Sequence, residues 1–573
     1  MKRHITYFIY ILLMLPNLLV AQEKKIDFFG SGRFALNNGS IHGALLNTDS
    51  VTPRKQMRGS TLFDLGFHIK PSAETEIKAI TRVTNDINGF WGGGIVMNVR
   101  ELYLRGLLLK KFKYQVGDLN TRMTPFTLYN SEGELSHHNP EALNTFSEVI
   151  AYDKFYGENS WRQQGAQIDF GFKFNEVFNS MKIKGMIAKN RQTDYFSTPD
   201  RLFSGASADI TLFKNLGLQY NLAHIFDVRE SAMFSDARFS NTVHSFGLTE
   251  SFSIKQFQFK LSGEAGFSKV AYENMLAAPN IPRGNFATAS LTFNPSKVWH
   301  VKLHANRVET HFRSMGAQSR RVDFNAVASE YAYYTNRESV RPANMLDILT
   351  DGNYYNLFLT PNLQGFNPVY ENILPYGQAT PNRQGIQGEI GFRSKVQLGL
   401  FVSNIRVARY NEISGQGTLN LRNFSEIQWD ANSNINHFYN GKRRLNLSVF
   451  YRLQNTQREG IKNIEEIELN TSQIKLGVSY ELVPKLHLQM GLLLVQAKGN
   501  EFMPTRNAFN QIVFYERSNY DLKETLFLSG LNYQFSKHNC LKIQWQQVNW
   551  NNELMPQNQY GINRLSVLYN LFF

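Results

Sequence analysis

One cysteine, Cys540, stands among 573 residues, and a single thiol closes no internal disulfide. Past the first 22 residues nothing approaches the roughly 20 continuous apolar residues of a spanning helix. Phosphate cradles are absent as well, since Gly92-Gly93-Gly94 lacks a following Lys-Ser/Thr. No Pro/Ser linker and no break in composition divides the chain, although a chain this long usually holds several domains. One large domain is therefore expected. The net charge of +14 is spread along the chain rather than gathered in a patch. Together with an export address, that spread excludes a nucleic-acid partner.

The address lies in residues 1–22. Lys2 and Arg3 supply a positive start, Phe8 to Leu15 a short apolar core, and Ala21-Gln22 the cleavage point of a signal peptide. Residues 23–573 form the remaining domain. Their repeating unit is an alternating segment, a tight polar turn, a second alternating segment and a longer polar loop. Phe63, Leu65, Phe67 and Ile69 oppose Asp64, Gly66, His68 and Lys70. Ile168, Phe170, Phe172 and Phe174 oppose Gln167, Asp169, Gly171 and Lys173. Ile474, Leu476, Val478 and Tyr480 oppose Lys475 and Ser479. A period of two is that of a strand with one apolar and one polar face.

Turns fall at Pro71-Ser72-Ala73, Lys110-Lys111, Phe213-Lys214-Asn215, Ile254-Lys255-Gln256, Asn294 to Lys297, Ser394-Lys395, Val483-Pro484-Lys485 and Ser536 to Asn539. The segment from Thr418 to Arg443 reads least clearly, because Asp430 to Asn436 break its alternation. A mean hydropathy of −0.35 is compatible with a membrane barrel, in which only alternate residues face lipid. A closed barrel also satisfies every backbone group within the bilayer. A water-borne sandwich or propeller would need polar turns at both ends of its strands.

The last segment, Gly561 to Phe573, places Leu565, Val567, Tyr569, Leu571 and Phe573 on one face and ends on an aromatic. It resembles the terminal strand of bacterial outer-membrane β-barrels, which implies Phe573 as an assembly signal read by the barrel-assembly machinery. With the leader and the hairpins, the whole chain resembles the large porin-type barrels of the Bacteroidota outer membrane. The expectation is an all-β fold: a single antiparallel transmembrane barrel of about 22 strands, range about 18–24, with short periplasmic turns and long extracellular loops. No residue role is carried over from a named family.

Alternation aims Lys78, Arg82, Arg105, Lys113, Lys173, Lys182, Lys184, Lys260, Lys302, Arg444, Arg452, Lys475 and Lys542 into the lumen. Asp64, Glu101, Asp169, Asp209, Glu264 and Glu481 point the same way. Glu101 with Lys113, and Asp169 with Lys184, are the expected cross-strand pairs. The basic surplus would favour anions in a watery interior. Two loops, 120–162 and 311–384, are long enough to be functional. Their constriction candidates are Tyr129, His137, His138, Tyr152, Tyr156, Trp161, Arg320 and Arg321.

His137 and His138 point apart on an extended chain and lack a third ligand at diagnostic spacing, so no metal is expected. Ser136 beside His137 supplies no catalytic geometry. Neither catalytic residues nor cofactors are expected, and the chain is not read as an enzyme. The expected function is a porin-like channel for small polar, preferably anionic, solutes, in contact with outer-membrane lipid. The alternative is a non-conducting barrel serving a secretion, gliding or surface-assembly system, with periplasmic or surface protein partners. An energised receptor would need a plug before the barrel, and strands begin almost at Gln22.

Overall fold

The computed structural model describes residues 26–47, 55–87, 95–128, 140–143, 149, 152, 163–174, 177–213, 215–274, 281–318, 363, 366–396, 399–437, 443–506 and 512–573. The leader lies outside them. The described residues form one 22-stranded antiparallel sheet.

The first strands are β1 (Ile26–His42), β2 (Lys55–Ser72), β3 (Thr75–Asp86), β4 (Ile95–Leu108), β5 (Phe112–Leu119) and β6 (Gln163–Lys173). Next come β7 (Phe178–Arg191), β8 (Arg201–Leu212), β9 (Leu216–Asp227), β10 (Arg238–Ile254) and β11 (Phe257–Glu273). They are followed by β12 (Gly284–Asn294), β13 (Trp299–Val308), β14 (Arg383–Val396), β15 (Gly399–Asn411) and β16 (Asn423–His437). The last six are β17 (Arg443–Arg458), β18 (Ile467–Val483), β19 (Leu486–Arg506), β20 (Ile512–Gln534), β21 (Asn539–Asn552) and β22 (Tyr560–Phe572).

Each strand pairs with its sequence neighbour, and β1 pairs with β22 from Ser31↔Phe572 to His42↔Gly561. Two backbone bonds tighten that seam, Gly30 N–H to the Phe573 carbonyl at 2.9 Å and Phe573 N–H to the Gly30 carbonyl at 3.1 Å. The sheet is thus closed and has no free edge, the condition for spanning a bilayer with strands.

The connections of two to four residues lie at the end that holds Ile26 and Phe573, and those of seven residues or more at the other. The β4–β5 turn takes φ of 52° at Leu109 and 58° at Lys110, the doubly left-handed turn that matches strand twist. The expected turn at Ser394-Lys395 falls further on, because β14 runs to Val396 and β15 starts at Gly399. The unclear segment before Arg443 is the regular strand β16. Its contrast was weak because small Ala431 and Ser433 share the outward face with Trp429 and Ile435, while Asp430 is buried inward.

The outward face is apolar, with Phe63, Leu102, Ile168, Leu303, Ile405, Leu447, Leu476 and Leu565 all exposed. Strand lengths from 8 residues in β5 to 23 in β20 set the span, since about 9–11 tilted residues cross a hydrocarbon core. Most strands are longer than that crossing requires.

Candidate functional site in the barrel lumen

The interior is where the alternation stops predicting polarity. Phe203, Ile225, Phe239, Val243, Val270, Phe286 and Val308 face inward on β8–β13 and are buried. Apolar side chains facing a watery lumen would be unfavourable, and two inward-folded segments cover them. Phe126 stacks on Phe286 with centroids 4.1 Å apart, and Phe312 meets Phe286 edge-on at 5.0 Å. The Ser314 hydroxyl donates to the Thr127 carbonyl at 3.2 Å, joining the two long loops. Asn241 of β10 donates to the Arg313 carbonyl at 3.0 Å, and Asn306 of β13 to the Gln378 carbonyl at 2.9 Å.

A second contact holds residues 369–373 against β16–β20. Arg452 Nη1 bonds Glu371 Oε2 at 2.9 Å. Asn372 donates to Thr456 Oγ1 and Glu501 Oε2, each at 2.9 Å, and the Tyr370 hydroxyl donates to Glu524. Residues 140–143 of the first loop reach lower. Glu141 accepts from Asn446 and from Gln489, both at 3.0 Å, near the turn-side ends of β17 and β19. Gly477 and Gly491 make room there: a Cβ on Gly477 would lie 2.1 Å from Pro140 Cβ, and one on Gly491 would lie 3.1 Å from Leu143 Cδ2.

Tyr152 anchors the same loop to another part of the wall, on β1–β4. Its hydroxyl donates to Asp64 and lies 2.9 Å from the Ser31 hydroxyl. The guanidinium of Arg100 sits 4.2 Å from the ring centroid and that of Arg82 5.3 Å. Strict alternation would put Arg100 outside. The β3–β4 register shifts between Ile80 and Thr81, so Arg100 and Glu101 both serve the interior. A one-residue bulge re-aims side chains in this way, and alternation alone carries no mark of it.

Arg82 grips Asp64 through two bonds, Nε–Oδ1 at 2.8 Å and Nη2–Oδ2 at 2.7 Å. Lys78 pairs with Glu101 at 2.9 Å. This replaces the expected Glu101–Lys113 pair, because β3 rather than β5 brings the nearest cation to Glu101. Lys113 instead stands opposite Asp169, which also stands opposite Lys184. Arg105 pairs with Glu76. Arg452 and Lys475 face inward but are buried under the inward segments, and the Lys475 ammonium lies 4.8 Å from the Phe450 ring.

The remaining bases share one wall. Lys113, Lys173, Lys182 and Lys260 are exposed on the inner face, and Lys184 and Lys302 are half-buried, all in the turn-side part of β5–β13. Asp169, Asp209, Glu264 and Glu389 share that wall. Asp209 stands opposite Lys182 and Glu389 opposite Lys302. The wall is basic on balance. Phe573 lies outside the lumen, its ring stacked on Phe63 at 5.9 Å. Tyr129, His137, His138, Tyr156, Trp161, Arg320 and Arg321 lie outside the described residues. Among the described residues, no group of three or more His, Cys, Asp or Glu side chains is arranged to hold a metal ion.

A closed barrel with an apolar outer face, short turns at one end and loops folded into its interior is a transmembrane β-barrel of the outer-membrane class. No protein-family model matches the chain, and no curated protein matches it. Its structure is similar to that of Pseudomonas aeruginosa OccK5 (OpdH), at 10% identity over 96% of this chain and 98% of that one, with a TM-score of 0.34. It is also similar to Pseudomonas aeruginosa OccK2 (OpdF) in complex with glucuronate, at 8% identity over 95% and 98%, with a TM-score of 0.33. A BenF-like porin from Pseudomonas fluorescens Pf-5 is 9% identical over 96% and 99%, with a TM-score of 0.34.

Proposed function

We propose that this barrel is a porin-like channel of the outer membrane that passes small polar solutes and prefers anions. The observation that carries the reading is the basic inner wall formed by Lys113, Lys173, Lys182, Lys184, Lys260 and Lys302. A cationic lining raises the local concentration of anions and lowers their entry barrier. The folded-in loops narrow the passage and confine a solute to that wall. No chemical step is required, and the inward residues act by charge and by space alone. The leader ending in Ala21-Gln22 and the repeated hairpins support a barrel of the Bacteroidota porin-like type, with Phe573 read by the assembly machinery.

Reversal potentials of the purified protein across a planar bilayer in a salt gradient test the reading. Anion selectivity at low salt is the expected result, and a conducting pore that selects cations refutes the preference. A second reading is favoured by the buried apolar clusters inside the lumen: a plugged barrel that docks a periplasmic or surface partner. A folded, inserted protein that never conducts would select this second reading.

A further inference from the structure

The outer face has two unlike rims. On the turn side an aromatic girdle runs from β10 to β15. Phe252 stacks on Phe259 at 5.2 Å, Phe259 on Phe293 at 4.8 Å, Trp299 meets Phe392 at 4.8 Å, and Phe392 meets Phe401 at 5.8 Å. Aromatic rings suit a membrane interface, with an apolar body in the hydrocarbon edge. The loop-side rim carries cations instead: Lys189, Lys269, Arg307, Arg409, Lys498 and Lys523. Their neighbours Ala188, Val270, Val308, Ala408, Ala497 and Leu522 are buried inward, so alternation aims the cations outward. One or two alternate positions nearer the turns, the same faces carry Ile187, Leu303, Val407 and Leu494.

These cations are therefore placed where hydrocarbon gives way to headgroups. Lys189 bonds Asp200 at 2.9 Å and Arg307 donates to Gln384 at 3.0 Å. Among the described residues, Lys269, Arg307, Arg409, Lys498 and Lys523 have no acid within ion-pair distance. Asp200, Glu273, Glu309, Glu468 and Asp521 share the rim, with Asp521 opposite Lys498 and Glu273 near Arg238. Against these five acids, the six cations and Arg238 leave it basic on balance. A long cationic side chain can lay its stem along the apolar edge and hold its charge at headgroup level. Anionic lipid attracts such a charge about five-fold per residue.

We propose that the loop-side rim binds anionic phospholipid headgroups, so that the barrel meets the two faces of the membrane with two different rims. The assignment depends on the barrel spanning the membrane and is independent of conduction through it. The test titrates the full-length folded barrel in neutral detergent with phosphatidylglycerol or phosphatidylcholine and counts retained lipid by native mass spectrometry. The wild type should retain phosphatidylglycerol preferentially. K269Q/R409Q/K523Q should lose that preference, about five-fold at each altered position at low salt, with a smaller loss at high salt. The lumen variant K113Q/K182Q/K184Q should keep it.

Heat-modifiable mobility reports folding, and R409Q alone serves if the triple variant fails to fold. Absence of preference in the wild type, or a rim variant that keeps it, overturns the proposal. Competition by inorganic phosphate at equal phosphate concentration would make the site one for free anions and also overturn it. Conductance should be unchanged in the rim variant, so failure of the channel reading would leave the lipid result intact.

Discussion

Arg452 of β17 and Glu371 of the inward segment form an ion pair at 2.9 Å inside the barrel. Both are buried, and Arg452 also donates to the Tyr370 carbonyl. Removing one member of a buried pair strands the other charge, at a cost of about 3–5 kcal/mol. Arg452→Met should therefore release residues 369–373, raising hydrogen exchange there and increasing conductance. R452M/E371Q should recover much of the loss. Unchanged exchange in Arg452→Met would show that Asn372 and Tyr370 hold the segment without the ion pair.

Tyr152 ties the first loop to the β1–β4 wall by its hydroxyl and its ring. Tyr152→Phe removes the hydroxyl's bonds to Asp64 and Ser31 and keeps the ring; Asp64 keeps both bonds from Arg82, so about 1–2 kcal/mol should be lost. Tyr152→Ala also removes the ring that Arg100 and Arg82 flank. Conductance and anion preference should rise in the Ala variant and stay near wild type in the Phe variant. Equal behaviour of the two would mean that the ring does not position the loop.

Selectivity should follow the exposed bases and not the paired ones. K113Q/K182Q/K184Q should shift the reversal potential toward cations. Replacing Arg82, locked to Asp64, should chiefly affect stability. The wild-type preference should fade with salt, as the Debye length drops from about 30 Å at 0.01 M to about 3 Å at 1 M. A preference that persists at 1 M would assign selectivity to the narrow contacts between loop and wall.

The two faces of β13 can be separated by one charge. Leu303→Arg puts a cation in lipid near the middle of the strand, costing about 2–4 kcal/mol. His304→Arg puts the same group in the lumen and should be tolerated. Urea midpoints of the refolded variants would measure the difference. Similar losses in both would contradict the register of β13 with β12 and β14, since a one-residue slip exchanges the faces.

Asp194 organises the β7–β8 loop. It accepts the N–H groups of Phe196, Ser197 and Thr198, each at 2.8 Å, and the Ser197 hydroxyl at 2.9 Å. These donors favour the ionised form and hold its pKa well below the usual carboxylate range. The loop order it supports is complete above the ordinary carboxylate pKa of about 3.9 and is lost as pH falls through the depressed value. Amides 196–198 should thus remain protected at pH 4, and Asp194→Ala should expose them at neutral pH. Loss of protection near pH 4 in the wild type would contradict the shift.

The sequence by itself determined the strands, their faces and the direction of the barrel. A lipid-facing surface demands an apolar residue at every second position, and that demand is written locally in segments such as Phe63–Ile69 and Ile474–Tyr480. Short turns are local too, so seven of the expected hairpins fall where their residues place them, and the one at Ser394 moves by two or three positions. Only the tertiary structure decided what fills the lumen. Inward positions such as Phe203, Phe239 and Phe286 are apolar because segments distant in the chain cover them, and no local period encodes that cover. The same holds for Arg100, which a single register shift brings to the interior, and for Lys475, which burial removes from the water its alternation implied. Closure of the sheet, which brings β1 against β22 and sets Tyr152 beside Asp64, turned one repeating pattern into two different walls.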